Sequence, residues 1–250
     1  MQLNLPRREQ KPRKKGLTMV IDTGLPLAQI EDYLELAHPY IDYVKLGWGT
    51  ALVTPNIEQK IALYKKYALP ISFGGTLFEL AYLQNRLDEF EIFLEKNKIE
   101  YVEISDGTIE LELEEKLQLI GHFSKKFKVL SEVGSKDSKA VVAPKKWVKE
   151  IQLALEAGAY KVIAEGRESG KAGLYRESSE IRTGLVEELL DDIAQDDIIF
   201  EAPQKAQQVW FIKELGSDVN LGNIAFSDLI ALETLRLGLR GDTLLHFHGK

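Results

Sequence analysis

The chain has 250 residues, 44% hydrophobic and 28% charged, with 39 acidic against 32 basic side chains and a net charge of −7. These proportions describe a soluble globular chain and exclude a fibrous or disordered one. The absence of cysteine excludes disulfides, thiolate metal sites and cysteine nucleophiles together, and the acidic balance argues against nucleic-acid binding.

No window approaches the ~18 consecutive apolar residues that a membrane span requires. No apolar stretch follows the early basic residues, so a cytoplasmic protein without a membrane partner is expected. Residues 1–15 form a basic arm: Arg7, Arg8, Lys11, Arg13, Lys14 and Lys15 are opposed only by Glu9. The arm reads as a solvated terminal segment, and residues 16–250 as a single catalytic domain.

From Thr18 onward one unit recurs, a short β-branched run ending in a polar or glycine-rich turn and then a stretch of helical periodicity. The predicted strands are Thr18–Asp22, Tyr43–Leu46, Pro70–Phe73, Tyr101–Ser105, Val129–Val133, Lys161–Glu165, Ile198–Glu201 and Val219–Leu221. The predicted helices are Leu27–Ala37, Ile57–Tyr67, Leu77–Asn97, Glu114–Phe127, Lys145–Ala157, Leu185–Gln195, Lys205–Leu215 and Ser227–Leu239. Eight strands alternating with eight helices over this length match a (β/α)8 TIM barrel. An open doubly wound sheet is the competing architecture, and it leaves the even repeat unexplained.

In such a barrel, chemistry gathers at the C-terminal ends of the strands. Lys45, Glu103, Glu132, Glu165 and Glu201 fall there on five different strands, and an ionised side chain inside a covered parallel strand has no inexpensive place except the mouth. Four converging glutamates repel unless protonated, paired with Lys or Arg, or bridged by a divalent cation. An all-oxygen set suits Mg²⁺ or Mn²⁺ rather than zinc. The loop Gly166–Gly173 offers backbone NH groups, Arg167 and Lys171 to an anion, and Asn220, Gly222 and Asn223 stand where barrels commonly bind phosphate. Trp48 is placed to wall the pocket. The four histidines lie on predicted helices or in the tail, which disfavours a histidine triad or a zinc site.

The strand-end motifs, read together, are specific. Lys15–Asp22, Val44–Thr50, Gly74–Glu79, Val102–Thr108, Glu132–Lys136, Glu165–Glu168, Phe200–Pro203, Gln207–Gln208 and Val219–Ile224 resemble the phosphosulfolactate synthase family over nearly the whole chain. The resemblance implies a (β/α)8 barrel that adds sulfite to phosphoenolpyruvate with Mg²⁺, giving (2R)-2-phospho-3-sulfolactate. It also implies a homo-oligomer. On this reading Lys136 donates the proton, Lys45 and Arg167 neutralise substrate anions, and Glu103, Glu132, Glu165 and Glu201 are the eligible metal ligands. A related branch of plant heat-stress-associated proteins supplies the alternative, a non-catalytic barrel that keeps only a binding surface.

Overall fold

The computed structural model describes residues 3–134, 142–167 and 169–249. Eight parallel strands close into a barrel in sequence order: β1 (Thr18–Asp22), β2 (Tyr43–Leu46), β3 (Ile71–Gly74), β4 (Tyr101–Ile104), β5 (Lys128–Val133), β6 (Lys161–Ala164), β7 (Ile198–Glu201) and β8 (Leu221–Ile224). Among the described residues ten α-helices surround it: α1 (Leu27–Ala37), α2 (Ile57–Lys66), α3 (Thr76–Leu83), α4 (Leu87–Lys96), α5 (Leu113–Phe123), α6 (Pro144–Glu156), α7 (Thr183–Asp192), α8 (Lys205–Leu215), α9 (Leu229–Arg236) and α10 (Gly241–His248). The fold is thus the (β/α)8 barrel and not the open sheet.

Successive side chains of a strand face opposite sides, so each strand divides its residues between the barrel interior and the helices. Val44, Val102, Val162 and Phe200 join the large core under the helices. Leu17, Met19, Tyr43, Tyr101, Leu130, Ile163 and Ile199 form a separate apolar layer inside the barrel. Two residues further along five of these strands stand Lys45, Glu103, Glu132, Glu165 and Glu201. The period of two that buries the apolar layer therefore lifts five ionisable side chains into the space above it.

Three expectations need correction. The single helix over Leu77–Asn97 is two, α3 and α4, separated at Asn85, whose left-handed backbone (φ 54°) interrupts the helical path. The last strand begins at Leu221 rather than Val219, and its register against β1 shifts between Thr18 and Val20. Asn223 sits at this irregularity with φ 54°, a local bend that a β-bulge accommodates.

The basic arm is the third. Arg8 lies 3.2 Å from Glu233 and 3.3 Å from Asp218, and Arg13 pairs with buried Asp42 at 3.2 Å. Both members of the Arg13–Asp42 pair are 5% exposed, so the arm is docked on the barrel and not solvated along its length. Its partners come from β-strand and helix units far away in sequence, which local composition does not reveal.

Candidate active site

The C-terminal ends of the strands surround a cavity of about 410 Å³. Lys45 Nζ stands among its carboxylates, 2.9 Å from Glu103, 3.3 Å from Glu201 and 3.8 Å from Glu132. The four glutamates are buried, each at most 3% exposed. Burial works against the charge on Lys45, but Glu103, Glu201, Glu132 and Glu165 overcome it and hold the ammonium well above the ordinary lysine value. Lys45 is therefore a fixed positive charge and, in this state, a weak proton donor. Burial acts oppositely on Glu103, which is pushed up to about 7; Lys45 pulls it back, and Glu132 and Glu201 add repulsion.

The turn after β6 is built into this cluster. Gly166 N–H donates to Glu201 Oε2 at 2.9 Å, and Arg167 N–H donates to Glu165 Oε1 at 2.5 Å. These two NH groups, expected to face a bound anion, instead aim the carboxylates. Arg167 lines the cavity from a left-handed backbone (φ 56°), and Trp48 (φ 54°) and Asn223 line it as well. Across the mouth, the turn after β3 approaches so closely that a Cβ on Gly75 would meet Glu103 Oε1 at 2.5 Å. Glycine there leaves the room in which the Glu103 carboxylate sits.

Two residues named from the sequence do not reach the cavity. Asn220 lies at the opposite pole, where it accepts from Leu17 N–H and donates to the carbonyls of Asp196 and Ile198. The reason is the late start of β8, which leaves Asn220 before the strand rather than at its end. Gly222 faces the interior, where a Cβ would meet Met19 at 2.7 Å, so it makes room for the apolar layer. Lys136 lies outside the described residues. Asp22, at the end of β1, is occupied by Lys60 at 2.9 Å and by the Tyr64 hydroxyl at 2.8 Å, a structural role beneath α2.

Other contributors were not singled out. Glu79 on α3 accepts from the Ser105 hydroxyl at 2.7 Å and from Thr108 N–H at 3.3 Å, shaping the turn after β4. Lys116 on α5 donates to Asp106 and to the backbone oxygen of Glu132, both at 2.7 Å. A lysine on an amphipathic helix looks like a surface residue in sequence, and this one is 3% exposed.

The family model described as (2R)-phospho-3-sulfolactate synthase (ComA) matches residues 6–242. The chain belongs to this family. It is 46% identical over 244 residues to a phosphosulfolactate synthase of Bacillus subtilis (strain 168), covering 96% of this chain and 97% of the relative. It is 44% identical to one from Methanothermobacter thermautotrophicus, covering 96% and 95%. Among solved structures, 3-hexulose-6-phosphate synthase from Salmonella typhimurium superposes with a TM-score of 0.57 at 13% identity, over 88% of this chain and 98% of that one. That likeness concerns the barrel alone.

The donor chemistry of the mouth decides whether it suits a divalent cation. Among the described residues no group of three or more acidic or histidine side chains is gathered as metal ligands. Lys45 stands among the carboxylates instead. The donors nonetheless fit a hard cation: they are oxygens throughout, and both carboxylate oxygens of Glu103 are buried without a hydrogen-bond partner among the described residues, Lys45 being its ion-pair neighbour. The raised Glu103 value has burial as its chief cause, with repulsion from Glu132 and Glu201 added to it.

Proposed function

We propose that this chain catalyses the Mg²⁺-dependent addition of sulfite to phosphoenolpyruvate, giving (2R)-2-phospho-3-sulfolactate. The observation that carries this reading is family membership from end to end of the barrel, joined to a mouth in which four carboxylates surround one lysine.

In the reaction the sulfite sulfur forms a bond to C3 while the C2–C3 π electrons move toward C2 and the substrate carboxylate. A proton then adds to C2. The site must therefore stabilise growing negative charge and supply one proton on one face. Glu103, Glu132, Glu165 and Glu201 are the residues that would hold Mg²⁺, which supplies electrophilic stabilisation of the developing enediolate. Lys45 and Arg167 offset substrate charge, and Asn223 offers a polar contact at the rim. Lys136 is assigned as the proton donor because the addition requires an acid and this residue follows β5 in sequence, on the side of the barrel where the strand ends gather the chemistry.

The cytoplasm and a homo-oligomeric state complete this reading. Exposed Leu52 and Leu80 line one surface hollow beside α3 and α4, an apolar face that self-association would cover. No helix among the described residues is long and apolar enough to cross a membrane.

Incubating the protein with phosphoenolpyruvate, sulfite and Mg²⁺ while following the phosphorus resonance tests the activity. A new phosphomonoester signal that requires all three is expected. Its absence across metals and pH would favour the non-catalytic barrel, and a product formed only when another nucleophile replaces sulfite would redirect the substrate assignment.

A further inference from the structure

The pole opposite the active site carries a second cavity, of about 490 Å³. It is lined by residues at the N-terminal ends of strands, among them Tyr43, Tyr101 and Lys128, and by Lys11, Arg13 and Lys14 of the docked arm. Arg13 and Asp42 neutralise each other there. Three ammonium groups remain, and among the described residues none of Lys11, Lys14 and Lys128 lies within ion-pair distance of a carboxylate. Lys11 donates to the backbone oxygen of His38 at 3.2 Å. Lys128 donates to the Tyr101 hydroxyl at 3.1 Å and stands 5.0 Å over the ring of Tyr101 and 5.3 Å over that of Tyr160. In a chain of net charge −7, this is a local excess of cations beside aromatic surface, in a hollow of ligand size.

We propose that this pole is a second binding site, taking a small phosphorylated compound whose phosphate oxygens are held by Lys11, Lys14 and Lys128 and whose body rests against the exposed ring of Tyr160. A phosphate group matches the cluster because it offers two negative charges and several acceptor oxygens to donors that have room for them. Burial also lowers the Lys11 value, an unfavourable placement that a bound anion relieves. Two of the lysines belong to the arm and the third to the barrel, so the ligand bridges them and fastens the arm. This goes beyond the proposed reaction and does not depend on it.

The test uses inorganic pyrophosphate as the probe, in metal-free buffer near physiological salt, read by calorimetry and by the thermal midpoint. Saturable binding that raises the midpoint is expected. The double substitution Lys14→Gln and Lys128→Gln should weaken it by about tenfold or more. Both side chains are exposed, so the fold and the turnover of phosphoenolpyruvate should be retained. Arg167→Ala at the mouth should leave pyrophosphate binding unchanged. Absence of saturable binding, binding that the double variant retains, or binding that Arg167→Ala removes would each overturn the proposal. Because neither phosphoenolpyruvate nor sulfite is present, failure here is distinguishable from failure of the synthase reading.

Discussion

Lys116 Nζ lies 2.7 Å from the backbone oxygen of Glu132, so a helix outside the barrel grips the strand end that carries one of the mouth carboxylates. The same ammonium holds Asp106 in the turn after β4. Lys116→Met preserves most of the volume but leaves the Asp106 carboxylate and the Glu132 carbonyl without this donor. A stability loss of about 3 kcal/mol is expected from denaturant unfolding, the lower end for a broken buried pair because Asp106 keeps some solvent contact. A fall in kcat larger than the change in KM would show that Glu132 has lost its aim.

Glu103 supplies a pH dependence with a defined sign. Its folded value is about 7, above the ordinary 4.5, so the folded protein binds this proton more tightly than the unfolded chain does. The stability so gained is fully present below 4.5 and is lost as pH rises through about 7. Glu103→Gln cannot titrate, and the difference between its unfolding free energy and that of the parent should change across this window. A divalent cation requires the ionised carboxylate, so Mg²⁺ affinity should rise with pH over the same interval and binding near pH 6 should release protons. Calorimetry in buffers of different ionisation enthalpy measures that release.

Lys136→Arg separates proton donation from anion binding. A guanidinium still holds an anion but is a poor acid near neutral pH, because its pKa lies above ~12. Proton donation predicts a kcat loss of about 10²-fold or more. Near-normal kcat would place the acid elsewhere.

Arg13→Ala tests the docked arm. It leaves Asp42 buried with its strongest partner gone, and about 3–5 kcal/mol of stability should be lost. The active-site cavity is at the other pole, so kcat measured well below the melting temperature should hold.

The five mouth residues were legible in sequence for one reason: an ionised side chain two positions past an apolar one, inside a covered parallel strand, has a single tolerable destination. Asn220 shows the limit of that logic. A polar residue beside a strand can sit at either pole, and a two-residue error in where β8 begins exchanges them. The break between α3 and α4 escaped because Gln84, Asn85 and Arg86 include neither glycine nor proline. Lys60 and Lys116 escaped because their acidic partners come from other elements, and the arm's partners Asp42, Asp218 and Glu233 are more distant still.

The layer of Leu17, Met19, Tyr43, Tyr101, Leu130, Ile163 and Ile199 beneath the carboxylates closes the barrel from below. It makes the mouth a cul-de-sac: whatever reacts there enters and departs through one opening. A polyanionic product must therefore clear the same passage before the next polyanionic substrate arrives, so the two exclude each other, and traffic through that opening bounds the turnover that the chemistry beneath it can deliver.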